Sequence, residues 1–175
     1  LLTMGLKGED EVVNAVITDG NSDVILATEQ GMAIRFSEQD VRDMGLTAGG
    51  VRGMTLSPND AVIAVTALTK KKSSLLTITS LGYGKRSDLK EYSTIKRGGK
   101  GIITYKISDK VGKMVSLLEV VDKDHVHFIT KKGRVKRQRA KVIKIMGRAT
   151  QGMAAVAVAQ KDEIVQALFK PEEKF

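Results

Sequence analysis

The sequence has no cysteine and no tryptophan, only two prolines, and 4% of its 175 residues are aromatic. Without cysteine there are no disulfides and no thiolate metal sites, which agrees with a reducing compartment and points to the cytoplasm. No stretch reaches the roughly 20 apolar residues that a membrane helix needs, and no secretory signal opens the chain, so no membrane partner is expected. The first residue is Leu1 rather than Met, as expected of a fragment. What is present suffices for a folded domain: 42% hydrophobic residues to bury and 28% charged residues to solvate the surface.

The charge is unevenly placed. Residues 1–69 carry 4 basic and 10 acidic side chains, residues 70–148 carry 22 and 6, and residues 149–175 carry 3 and 4. A net −6 therefore adjoins a net +16 inside one chain whose total is +9. Scattered lysines usually mean no more than a solvated surface. A concentrated excess favours a polyanion, with nucleic acid ahead of a lipid surface because no amphipathic helix is visible.

Three segments align without gaps at a spacing of 51: Asp23 to Val51, Ser74 to Ile102 and His125 to Met153. Four columns coincide: Thr28, Thr79 and Thr130; Gly31, Gly82 and Gly133; Arg35, Arg86 and Arg137; Gly50, Gly101 and Gly152. Such a period sets the architecture before any local reading does. β-branched runs at 10–16, 60–65, 114–118 and 162–168 recur between these segments. Repeats of approximately 10–56, 60–107 and 112–158 are expected, with partial units at 1–9 and 162–169.

Each repeat reads as β. Residues 24–28 and their copies are strand-like, and Gly31, Gly82 and Gly133 sit where a tight turn needs positive φ. Residues 32–36 return, a polar loop follows, and a further strand is expected after Gly50, Gly101 and Gly152. Residues 37–45 have room for one short helical turn. Four strands per repeat of about 50 residues is a blade signature, so the expected fold is all-β and propeller-like, about three blades. An incomplete ring leaves apolar edges open, and self-pairing is expected there.

The repeat also locates the cations. The returning strand carries Arg35 in the first copy, Lys85 and Arg86 in the second, and Arg134, Lys136, Arg137 and Arg139 in the third. Lys131 and Lys132 precede the third turn glycine, and Lys141 and Lys144 follow the strand. With Ile34 and Val135 facing inward, alternation turns Arg35 and Arg137 outward. The loop before the last strand holds Lys96, Arg97 and Lys100 in the second copy and Arg148 in the third, among glycines that let a phosphate come close to the backbone. Tyr83, Tyr92 and Tyr105 are not spaced as a stacking platform for single strands. Duplex DNA held by its backbone, without sequence readout, is the expected partner.

VRGMTL at 51–56, GYGKR at 82–86, KRGGKGI at 96–102 and GRATQGM at 147–153 resemble the blade motifs of the DNA gyrase A C-terminal domain family. The resemblance spans nearly the whole chain. It implies a β-pinwheel in which neighbouring blades exchange strands, about three of six blades being present, with duplex DNA wrapped around a basic outer edge. It implies association with the rest of the gyrase A subunit, plus the gyrase B subunit, in a heterotetramer. It also implies no catalytic site and no cofactor here, since ATP, Mg and the DNA-cleaving tyrosine belong elsewhere in that assembly. The family's gyrase box has glutamine two residues before RGGKG; Ile95 stands there, so residues 96–101 read as the cognate loop of a later blade. The related topoisomerase IV subunit has a similar pinwheel and is the alternative membership.

Catalytic readings find no support. His125 and His127 alternate on one strand, but no cysteine or carboxylate cluster joins them as metal ligands, and one packed histidine with the other exposed or hydrogen-bonded is the expectation. No nucleophile elbow or P-loop occurs. A protein-interaction propeller, docking a basic partner on the acidic first repeat, is the competing function.

Overall fold

The computed structural model describes residues 5–69 and 72–170; residues 1–4 of the opening partial unit lie outside that range. The chain is all-β. Strands β1 (Asp23–Thr28) and β2 (Met32–Ser37) form a hairpin, and β3 (Val62–Leu68) pairs antiparallel with the other edge of β1. The second repeat does the same with β4 (Ser74–Thr79), β5 (Tyr83–Asp88) and, after the short β6 (Ile102–Ile103), β7 (Met114–Val120). The third uses β8 (His125–Thr130), β9 (Val135–Arg139), the short β10 (Met153–Ala154) and β11 (Ile164–Lys170).

The short strands are exchanged. β6 belongs to the second repeat but pairs with β2 of the first sheet, and β10 of the third pairs with β5 of the second. Two sheets are therefore four-stranded and the third, β11-β8-β9, has three. Each sheet spans a different phase of the period from the 10–56, 60–107 and 112–158 division, because the run at 60–65 closes the sheet begun at Asp23.

Two expected strands do not form. Residues 10–16 and 51–52 pair with no neighbouring strand. Their equivalents β3, β7 and β11 each pair with the hairpin that precedes them, and β6 and β10 pair with the preceding sheet. No hairpin precedes residue 10 among the described residues, and strand character without a partner gains no ladder hydrogen bonds.

The two larger core clusters lie between sheets, and a smaller one of Val24, Ile34, Phe36 and Met54 lies within the first repeat. Ile25, Ala27 and Ala33 of the first repeat pack with Leu75, Tyr92, Tyr105 and Met114 of the second. Leu76, Ile78 and Val120 pack likewise with Val126, Phe128, Ile143 and Ile164 of the third. Stability is thus largely a sum of neighbour interfaces, as in other repeat proteins. The middle hairpin is covered from both sides, so all six residues of β4 are buried and its sequence SLLTIT shows no solvent alternation. On β8, which has one open face, Val126, Phe128 and Thr130 are buried and alternate with more exposed neighbours.

The turn glycines take φ of 84° (Gly31), 80° (Gly82) and 77° (Gly133), as the hairpins require. Their surroundings differ. A Cβ on Gly82 would lie 2.2 Å from the carbonyl oxygen of Val156, whereas one on Gly133 meets nothing within 4 Å. Gly133→Ala is expected to lose about 1–2 kcal/mol from the left-handed conformation alone. Gly82→Ala must also displace the Val156 backbone and should lose clearly more. Urea unfolding midpoints of the two variants measure the difference.

Candidate nucleic-acid interface

Strand alternation places the arginine column outside, yet its first two members are turned in. Arg35 ion-pairs with Asp23 at 2.6 Å and donates from its other nitrogen to the carbonyls of Leu89 (3.2 Å) and Tyr92 (3.0 Å). Arg86, buried at 5% exposure, donates to the carbonyl of Ile143 at 2.8 Å and pairs with Asp122 at 2.5 Å. Tyr92 and Ile143 are one column of the repeat, so the same strut is built twice. Each guanidinium crosses from a hairpin to the residue following the short 3₁₀ turn of the next repeat, at Leu89–Glu91 or Ala140–Val142. The backbone runs alongside: the N–H of Ile95 donates to Arg35 O, and that of Met146 to Arg86 O. Planar guanidinium with its fixed fork of donors suits such a cluster of carbonyls. Arg137 occupies the same column on β9 but is exposed, with no side-chain partner among the described residues.

The reversal has a physical cause. Alternation decides inside from outside only where one face of a strand meets solvent, and the face carrying Arg35 and Arg86 meets the next repeat. Val135 differs from expectation in the other direction. It is 61% exposed, while Gly84 in the same column is buried and pairs with Met153 of β10. Arg86→Ala is expected to lower stability by about 1–3 kcal/mol, since it strands the Ile143 carbonyl inside an inter-repeat contact; thermal unfolding measures it.

Lys85 is also inside, with no exposed surface. Its ammonium donates to Gly147 O at 2.5 Å, to Arg148 O and to Thr150 Oγ1 at 3.2 Å, and lies 5.3 Å from the centre of the Tyr105 ring. Burial pulls its pKa down to about 8; the Glu91 charge raises it in part and Arg148 lowers it. Lys85 and Arg86 are therefore turned into the inter-repeat contacts rather than toward solvent.

The two glycine loops are built alike. Arg97 donates to Arg52 O at 2.9 Å and to Asp40 O at 2.8 Å. Arg148, one period later, donates to Ile103 O at 2.9 Å, again the preceding repeat's residue at the equivalent place. Both are half-buried and fix their loops against the repeat before. Lys96 and Lys100 project from the first loop, exposed and unpartnered among the described residues. Gly98 (φ 89°), Gly101 (75°) and Gly152 (69°) hold the turns.

The third repeat carries most of the available charge. Arg137 and Arg139 stand opposite His127 and His125 on the partly open face, while Lys136 and Gln138 share the face of Phe128 and Val126. Lys136 donates to Ala157 O at 2.8 Å and Gln138 to Ala155 O at 2.9 Å, tying β9 to the segment after β10. Lys131 pairs with Glu163 at 2.9 Å, and that hydrogen bond raises its pKa. Lys132, Arg134, Arg139, Lys141 and Lys144 are exposed and make no side-chain hydrogen bond or ion pair among the described residues. His125 and His127 are both half-buried rather than one in and one out, and no cluster of three metal-ligating side chains occurs among the described residues. Lys90, exposed on the 3₁₀ turn at Leu89–Glu91, belongs with this set and was missed, although it is the column partner of Lys141.

Eight of the fifteen expected residues thus keep a cationic end exposed and, among the described residues, unpartnered: Lys96, Lys100, Lys132, Arg134, Arg137, Arg139, Lys141 and Lys144. Arg97, Lys131, Lys136 and Arg148 are engaged but reach the surface, and Arg35, Lys85 and Arg86 are committed to inter-repeat contacts.

The family model described as "DNA gyrase C-terminal domain, beta-propeller" matches residues 22–69, 73–120 and 124–169, one match for each sheet. The A subunit of DNA gyrase from Lawsonia intracellularis is 38% identical over 158 residues, covering 89% of this chain and 19% of that protein. Its counterpart from Buchnera aphidicola is 36% identical, covering 94% and 19%. The chain spans about a fifth of the length of these relatives. A solved DNA gyrase A C-terminal domain superposes with a TM-score of 0.89 at 28% identity, over 95% of this chain and 57% of that one. A solved C-terminal domain of DNA topoisomerase IV gives 0.89 at 24% identity, over 95% and 52%, a likeness of fold.

Proposed function

The chain belongs to the DNA gyrase C-terminal domain family, a β-pinwheel of repeated blades, and from that premise we propose that it binds and bends duplex DNA by its phosphate backbone, without reading sequence. One observation carries the proposal: among the described residues, eight exposed cations in the loop at 96–100 and along 132–144 make no side-chain hydrogen bond or ion pair. Backbone contacts of this kind position a duplex but carry no base information. The few tyrosines support duplex over single strand, because Tyr92 and Tyr105 are buried in the core and unavailable for stacking.

The chain supplies no catalytic group in this reading. It serves an ATP-dependent type IIA topoisomerase in the cytoplasm, together with the rest of the A subunit plus a B subunit, and ATP and Mg act elsewhere in that assembly. Sequence identity of 36–38% with gyrase A relatives favours gyrase over topoisomerase IV.

Two measurements test the function. Fluorescence anisotropy should give comparable affinity for random duplexes of different sequence and weaker affinity for single strands. Relaxing a plasmid with the chain bound should leave a residual change in linking number, as a wrapped path requires. Equal binding to single strands, or no change in linking number, would favour the protein-interaction reading instead.

A further inference from the structure

The loop at 147–151 has an internal organisation that its counterpart one repeat earlier lacks. Four of its carbonyls are taken from the inside: Gly147 O and Arg148 O by Lys85, Thr150 O by the N–H of Lys106, and Gln151 O by the Tyr105 hydroxyl. The peptides are all trans, so each inward carbonyl sets the following N–H pointing outward. The N–H of Arg148 goes to the Glu91 carboxylate at 2.9 Å. Those of Ala149 and Gln151 donate to no group among the described residues. Outward N–H groups of this kind, here at alternate residues 149 and 151, can line a concavity suited to an anion. In the counterpart loop Ile34 takes the column of Lys85, its side chain lying against Gly99, and the N–H of Gly98 is used up on Gly53 O at 2.6 Å.

Building on the DNA-binding reading above, we propose that residues 147–151 form a seat for one backbone phosphate and that Lys85, though buried, is its positioning residue. Lys85 never touches the DNA. It holds two consecutive carbonyls inward, thereby presents the N–H of Ala149, and places a positive charge beneath the seat that offsets the Glu91 carboxylate beside it. Arg148, anchored on Ile103 O, flanks the same loop.

The charged groups facing Lys85 are Glu91 and Arg148, with the Tyr105 ring below. Its pKa near 8 puts loss of the proton within reach of a binding experiment. The sign separates binding from folding. The folded pKa lies below the ordinary 10.5, so between these values the unfolded chain holds the extra proton and stability rises with pH. Weaker DNA binding in that window is therefore not unfolding.

The test compares the unmodified chain with Lys85→Met, using a short random-sequence duplex. At about pH 7 the variant should bind roughly tenfold more weakly, as loss of a charge-assisted hydrogen bond to the loop predicts. Its dependence on salt should be unchanged, since no phosphate contact is removed. Raising the pH to about 9.5 should weaken the unmodified chain by a similar factor and leave Lys85→Met unaffected, with ordinary lysines still charged. The pH titration of the unmodified chain stands even if the variant folds poorly, and circular dichroism reports that directly. A flat pH profile, or a shallower salt slope for Lys85→Met, overturns the positioning role while leaving DNA binding intact. Absence of duplex binding by the unmodified chain overturns the underlying reading.

Discussion

Affinity of the chain for duplex DNA is expected to fall by roughly 10⁴ between 50 and 200 mM salt, within the 10³–10⁵ found for proteins that neutralise 6–10 phosphates. This steepness follows from eight exposed cations that have no internal partner among the described residues. If each neutralises one phosphate, the logarithm of the binding constant falls with the logarithm of salt at a slope of about −0.9 per contact, near −7 in all. Bending a site of about 20–30 base pairs costs on the order of 1–6 kcal/mol, so fewer contacts would leave little affinity once the bend is made. Anisotropy titrations across that salt range measure the slope directly. An affinity indifferent to salt is incompatible with a backbone-held duplex, whatever the family.

The repeat was legible because its turn chemistry is strict. Gly31, Gly82 and Gly133 all need positive φ, and Thr28, Thr79 and Thr130 end the strands before them, so the columns show through at low overall similarity. The blade fold and even the single helical turn at Glu38–Asp40 could be read from these signals. Partner-dependent features could not. Residues 10–16 and 51–52 have strand composition, yet a strand exists only when another lies beside it. The inward turn of Arg35 and Arg86 was hidden for a related reason: their carboxylate partners Asp23 and Asp122 occupy different columns of the repeat, so no paired column announced the strut. Exposure at a repeat position depends on what packs over it: the third repeat covers Arg86, while no described residue covers Arg137. Lys90, by contrast, was there to be found in the column of Lys141.

Replacing Arg134, Arg139, Lys141 and Lys144 together by glutamine is expected to halve the salt slope. Removing four phosphate contacts at about 0.9 each makes the slope shallower by between three and four, so the decline from 50 to 200 mM should shrink from roughly 10⁴ to roughly 10². All four side chains are exposed and none makes a hydrogen bond or ion pair among the described residues, so removing their charge leaves the inter-repeat interfaces intact. Surface changes of this kind usually alter stability by no more than about 0.5 kcal/mol, and the melting temperature should hold. Arg86→Ala supplies the opposite pattern, a lower melting temperature with the slope preserved, because its guanidinium faces Ile143 and Asp122 rather than solvent. The two variants together separate charge that meets DNA from charge that joins blades. If the fourfold variant kept the full slope, the cations of 132–144 would not lie along the path of the duplex, and other basic side chains would have to supply the phosphate contacts. If both variants changed the slope equally, the division between inward and outward arginines drawn from the hydrogen bonds would itself be wrong.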